Sequence, residues 1–131
     1  INLFKSLYPL ENILVIDDES TVRALLKEII MDMNYGFFEA ARAEKGLKIL
    51  EKEEISLVFL DIQLPNTNGL DILPKIKDLY PNTPVYLISA FHNMESVIKN
   101  MNLKVEGFIP KPFDIYKINE IVESELEKGD K

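Results

Sequence analysis

The sequence predicts an α/β protein: a doubly wound sandwich on a parallel five-stranded sheet of order 2-1-3-4-5. Two observations carry this. Strand and helix signals alternate five times from residue 12 onward. Three of the strands are apolar on both faces, as strands of a parallel sheet covered by helices on each side must be. Right-handed crossovers then leave few topologies, and the 2-1-3-4-5 order is the one expected for five such units.

Asn12 to Ile16 is the first strand. After Ser20, residues Val22, Leu25, Leu26, Ile29, Ile30 and Met33 recur at the three-and-four spacing of one helical face. "NYG" at 34–36 closes that helix with a turn signal. Phe37 to Ala40 reads as the second strand, and Ala43, Leu47 and Leu50 mark a second helix that runs out into "EKEE". "SLVFLD" is the third strand, followed by "IQLPNTNG", a loop rich in Pro, Asn and Gly. Ile72, Leu73, Ile76 and Leu79 then form a third helical face, with Pro74 expected in the first turn, where proline is tolerated. "PVYLIS" is the fourth strand and Met94 to Met101 the fourth helix. "EGFIPKPF" holds the fifth strand, and Asp114 reads as the N-cap of a last helix that turns Ile115, Ile118, Val122 and Leu126 inward. The whole is the (βα)5 arrangement of flavodoxin-like sandwiches.

The chain has 131 residues, the size of one domain, with 47% hydrophobic and 28% charged residues, a globular balance. The domain is expected over 12–128, with 1–11 a leader or linker and 129–131 a tail; a chain opening on Ile1 rather than Met fits a piece of something longer. No apolar run approaches the roughly 20 residues needed to span a bilayer, and the start lacks the order of a signal peptide. The absence of cysteine excludes disulfides and thiolate metal sites and fits a cytoplasmic location. A net charge of -7 argues against direct nucleic-acid binding, which needs clustered Lys and Arg.

In doubly wound sheets, ligands bind beyond the carboxyl ends of the strands, near the point where the winding reverses, here between strands 1 and 3. Those ends carry Asp17 and Asp18, then Asp61, with Ser89 and Lys111 after strands 4 and 5. Neighbouring strands lie about 4.8 Å apart, so the carboxylates converge. Two like charges about 4 Å apart repel by roughly 4 kcal/mol at an effective dielectric near 20. A divalent cation answers that repulsion best, and oxygen donors without His or Cys suit Mg²⁺. Lys111 adds a second positive charge. With both in place, Asp61 can act as a nucleophile toward phosphorus and form an aspartyl phosphate, with Ser89 donating to a phosphoryl oxygen. Read singly, Asp17 and Asp18 would only cap a helix and Asp61 would begin a turn. Their arrival together with Ser89 and Lys111 at adjacent strand ends is what favours the chemical reading.

Asp17-Asp18, "DIQLPNTNG" from Asp61 to Gly69, "SA" at 89–90, Phe108 and "KPF" at 111–113 together resemble the receiver domain of bacterial two-component response regulators, over nearly the whole chain. The resemblance implies a phosphorelay domain that takes a phosphoryl group onto Asp61 from a sensor histidine kinase or a histidine phosphotransfer protein. It implies Mg²⁺, with Mn²⁺ able to substitute, held by Asp18, Asp61 and the backbone carbonyl of Gln63, and by Asp17 through water. Ser89 would move toward the phosphoryl group and Phe108 would swing into the space it leaves. Lys111 would pair with the phosphoryl oxygens, and the Lys111–Pro112 bond would be cis. The switch would alter the face of helix 4, strand 5 and helix 5, used for a homodimer or an effector. Asn68 stands where many members have Asp, which bears on the loop alone. Gln63 and Phe91, each two places after a site residue, flank the water route to the phosphoryl group, and a bulky Phe91 implies slow hydrolysis.

Other readings are weaker. An aspartate-nucleophile phosphatase would need D-x-D, and the third residue here is Gln63. A flavin carrier would need a phosphate-welcoming loop where this chain places two carboxylates, and Gly-rich phosphate loops are absent. A degenerate receiver acting as a phosphorylation-independent binding module is the remaining alternative, and the intact acidic set speaks against it. On this reading the chain is a signalling phosphoacceptor and not a turnover enzyme. His92, the single histidine, is expected on the surface, and Glu19 is assigned to the start of the first helix, where its charge suits the dipole.

Overall fold

Strand β1 (Asn12–Ile16) is an interior strand whose alternate side chains serve two different cores. Ile13 and Val15 face one, Leu14 and Ile16 the other, and all four are fully buried. The computed structural model describes residues 11–91 and 93–127; His92, residues 1–10 and residues 128–131 lie outside them. The expected leader, except for Glu11, and the tail therefore fall outside the described residues.

The chain runs β1, α1 (Ser20–Asp32), β2 (Gly36–Ala40), α2 (Ala43–Lys52), β3 (Leu57–Asp61), β4 (Gln63–Leu64), β5 (Thr67–Asn68), α3 (Gly69–Leu79), β6 (Val85–Ser89), α4 (Met94–Asn100), β7 (Gly107–Pro110) and α5 (Ile115–Leu126). Five strands form one parallel sheet of order β2-β1-β3-β6-β7. Counted without the small β4–β5 pair, that is the expected 2-1-3-4-5 order, a flavodoxin-like α/β fold. Helices α1 and α5 close the core around Ile13, Val15, Phe59 and Ile88. Helices α2, α3 and α4 close the core around Leu14, Ile16, Leu60 and Leu87. All five residues of β3 are buried, which explains its unbroken "LVFLD".

Several local expectations are corrected. "IQLPNTNG" is not a plain loop, since Gln63–Leu64 and Thr67–Asn68 pair antiparallel around a turn in which Asn66 takes a left-handed φ of 58°. Asn tolerates that region better than other side chains. Helix α3 starts at Gly69, capped by the Asn68 side chain accepting from the Leu70 N–H at 2.9 Å, so Pro74 stands inside the helix and not in its first turn. Pro74 is solvent-exposed, where water can serve the Leu70 carbonyl left without its usual N–H. Leu79, Leu25 and Ile115, expected inward, are 66%, 38% and 47% exposed. Each sits at the edge of its helical stripe, where period alone does not settle the direction. The Asp114 cap is present, accepting from the Tyr116 N–H at 2.9 Å.

Candidate functional site

The register of β1, β3 and β6 brings the site together. Ile16 pairs with Leu60 and Asp61 with Ile88, so Asp17, Asp61 and Ser89 emerge side by side at the carboxyl edge. All three are buried, at 0%, 2% and 0% exposure, which for the two aspartates is unusual without compensation. Lys111 follows β7, and its backbone N–H donates to the Ser89 carbonyl at 2.8 Å. The Lys111–Pro112 bond is cis, as expected. Gly69 closes the site from below. Its N–H donates to the Ile62 carbonyl at 2.7 Å, and a Cβ there would collide with the Asp61 carbonyl oxygen and the Ile62 Cα.

The Lys111 Nζ lies 3.1 Å from Asp61 Oδ2, 3.0 Å from Asp17 Oδ2 and 2.7 Å from Glu19 Oε1. The contact with Asp17 Oδ2 is an ion pair without hydrogen-bond alignment, and that buried oxygen has no hydrogen-bond partner. The other oxygens of the two aspartates are held by backbone. Asp17 Oδ1 accepts from the Glu19 N–H at 2.8 Å and Asp61 Oδ1 from the Gln63 N–H at 2.9 Å. Burial pushes the Asp61 carboxyl up to about 6; the Gln63 N–H and Lys111 pull it down, while the Asp17 charge pushes it further up. For Lys111, burial pulls the ammonium down, but Glu19, Asp17 and Asp61 outweigh it and hold the group above its ordinary value.

One carboxylate oxygen from each of Asp17, Glu19 and Asp61 falls within 4.8 Å of the others. Hard oxygen donors with no nitrogen or sulfur fit a hard divalent cation. The sequence reading missed Glu19 at this site. The signal was present in three consecutive acidic residues, Asp17, Asp18 and Glu19, but which of them turn inward depends on the backbone leaving β1. Asp18 is exposed and stands apart from the group.

Ser89 Oγ accepts from the Phe91 N–H at 2.9 Å. Phe91, 48% exposed, lines a cavity of about 380 Å³ together with Gln63, Leu70, Met94 and Val97. Phe108 is half-buried, beside Leu87 in the register and against the core of α2, α3 and α4.

The model of the response regulator receiver domain family matches residues 13–123. The chain belongs to that family. Among curated relatives, this receiver domain is 33% identical over 116 residues to Sporulation initiation phosphotransferase F of Bacillus subtilis (strain 168), covering 88% of this chain and 94% of the relative. It is 29% identical to Response regulator protein PilR of Pseudomonas aeruginosa, covering 86% of this chain but only 25% of that protein. Among solved structures, a response regulator receiver domain protein (CheY-like) from Methanospirillum hungatei JF-1 matches with a TM-score of 0.84 at 26% identity, covering 93% of this chain and 98% of the other. The receiver domain of NtrX from Brucella abortus matches with a TM-score of 0.80 at 34% identity, covering 88% and 98%. The acidic pocket of Asp17, Glu19 and Asp61 fits the phosphoacceptor site of such a domain.

Proposed function

We propose that Asp61 is the phosphoacceptor of a two-component phosphorelay, with Mg²⁺ as cofactor and a sensor histidine kinase or histidine phosphotransfer protein as donor. The observation that carries this reading is a buried carboxylate at the end of the central strand, 3.1 Å from a lysine ammonium and grouped with two further carboxylates. An Asp61 oxygen forms a bond to the phosphorus of a phosphohistidine while the P–N bond breaks, its electron pair leaving with the imidazole. The Gln63 N–H orients the carboxylate by holding Oδ1. Lys111 transfers its pairing from the carboxylates to the phosphoryl oxygens, and Ser89 donates its hydroxyl to one of them. Asp17, Asp18, Asp61 and the Gln63 carbonyl would hold Mg²⁺, which when bound supplies positive charge against the phosphoryl oxygens.

The same reading assigns the switch to Ser89 and Phe108 and the altered surface to α4, β7 and α5, for a homodimer or an effector, in the cytoplasm. The domain carries signalling chemistry, limited to its own phosphorylation and dephosphorylation. Among the described residues no helix is long and apolar enough to cross a membrane, and the net charge of -7 disfavours nucleic acid as a direct ligand.

Incubation with acetyl phosphate, with and without Mg²⁺, followed by intact-mass measurement tests the proposal. A phosphoryl mass gain that needs Mg²⁺ and is absent in Asp61→Asn is expected. No gain from acetyl phosphate or from a phosphorylated histidine kinase would instead make the domain a binding module.

A further inference from the structure

We propose that Arg23 is a positioning residue for the divalent-metal site: its guanidinium sets the direction in which Asp18 leaves the end of β1, and Glu39 braces that guanidinium from β2. The inference rests on the reading of Asp18 as one of the residues that hold Mg²⁺. Asp18 is exposed, and among the described residues no hydrogen bond or ion pair holds its side chain. Its direction is therefore set by the backbone that precedes it. A peptide unit is planar, so whatever fixes the Asp17 carbonyl also fixes the plane from which Asp18 departs.

The Asp17 N–H still donates across to β2, to the Ala40 carbonyl at 3.0 Å. The Asp17 carbonyl lies one step beyond that pairing and accepts instead from Arg23 Nη1 at 2.8 Å. The same guanidinium donates through Nε to Glu39 Oε1 at 2.7 Å, and Glu39 stands beside Val15 in the register of β1 and β2. One side chain thus ties the start of α1, the edge strand and the Asp17–Asp18 peptide together. Two properties make this tie stiff. Arginine presents its donors in a planar fork of fixed geometry, and its hydrogen bonds are charge-assisted. The Arg23 side chain is also only 18% exposed, so water competes little for either partner. Without it, the Asp17 carbonyl would be free to rotate toward solvent and carry Asp18 with it.

Charge alone predicts the opposite of positioning, which makes the residue testable. A guanidinium on the Asp17 carbonyl repels a cation bound nearby, so by Coulomb forces its removal would tighten Mg²⁺ binding. Isothermal titration with Mg²⁺ at neutral pH and constant ionic strength compares the unaltered protein with Arg23→Gln, Arg23→Lys and Lys27→Gln, the last removing the same charge from an exposed position of α1. Arg23→Gln and Arg23→Lys are each expected to bind Mg²⁺ about tenfold more weakly, in the range for loss of a group that orients a metal ligand. Lysine fails here because one ammonium nitrogen cannot take the places of both Nε and Nη1. Lys27→Gln should bind no more weakly than the unaltered protein. Glu39→Ala should weaken binding in the unaltered background but not on top of Arg23→Gln, since the brace acts through the guanidinium; an equal loss in both would take Glu39 out of the proposal. Urea unfolding establishes that each variant is folded, and Arg23→Lys decides alone if Arg23→Gln is not. Affinity kept or raised in a folded Arg23 variant would overturn the proposal, even with a lowered urea midpoint, because Arg23 would then serve stability only. Failure of the unaltered protein to bind Mg²⁺ would overturn both this inference and the metal reading beneath it, whereas binding that is insensitive to Arg23 removes the inference only.

Discussion

A lysine ammonium within 3.1 Å of three carboxylates solves a local problem, since Asp17 and Asp61 are buried and of like charge. The solution is incomplete, because burial and the Asp17 charge still push the Asp61 carboxyl up. That residual cost makes the site ready for a cation, which balances the charge. At the same scale, Phe91 and Gln63 line one cavity beside Asp61, with Phe91 presenting about half its surface. A bulky ring there obstructs an approaching water. Phe91→Ala is therefore expected to speed loss of the phosphoryl group several-fold, measured by following phosphoprotein decay after the donor is removed. An unchanged decay rate would show that the ring does not shield the site. Lys111 and Ser89 could be read from sequence because single polar residues closing apolar strands are conspicuous. Glu19 could not, because its neighbours Asp17 and Asp18 carry the same charge and only geometry tells them apart.

Among the elements, the β4–β5 pair and the start of α3 matter most to the site. They fold back under Asp61 so closely that only a residue without a Cβ fits at position 69. The obstacles are backbone atoms of Asp61 and Ile62, which cannot step aside without moving the carboxylate itself. Gly69→Ala is expected to destabilise the protein by about 1–3 kcal/mol, as overpacking does, and to slow phosphorylation by acetyl phosphate as well. Urea unfolding and intact-mass time courses check the two effects. If both stay at the level of the unaltered protein, the close approach is not a constraint. The strands and the buried helical stripes were legible beforehand because apolar periodicity is a local property of the chain. Leu25, Leu79 and Ile115 were misplaced because they lie at stripe edges, where neighbouring elements decide exposure. The hairpin was missed because two-residue strands have no periodicity to read.

At the scale of the whole molecule, the site's charge is linked to global stability. The Asp61 carboxyl is raised from 3.8 to about 6 in the folded state, so the folded protein holds that proton more tightly than the unfolded chain. Its stabilising contribution is present below the unfolded value and is lost as pH rises through about 6. Above that range the metal-free protein carries an ionised buried carboxylate. Asp61→Asn is expected to raise the thermal midpoint of the metal-free protein at neutral to mildly alkaline pH. The gain should be about 1 kcal/mol, a shift of several degrees for a domain of this size. It should vanish below the unfolded carboxylate range, and Mg²⁺ should narrow it by stabilising the unaltered protein. Thermal melts across pH, with Mg²⁺ or a chelator, measure this; a midpoint lowered by Asp61→Asn at neutral pH would show that the Lys111 pairing outweighs burial.

By itself the sequence determined the order of strands and helices, the two-sided burial of the central strands and the convergence of Asp17, Asp61, Ser89 and Lys111 at one sheet edge. Those follow from apolar spacing and from the handedness of crossovers, which leave little choice of topology. Only the tertiary structure decided which carboxylate oxygens surround the ammonium, so that Glu19 joins Asp17 and Asp61 while Asp18 faces water. The reason is that side-chain direction beyond a strand end is set by the backbone path between β1 and α1. That path is held by contacts beyond its own residues, among them the Arg23 guanidinium, which ties the Asp17 carbonyl to Glu39 of β2, and the Lys111 ammonium on Glu19 itself.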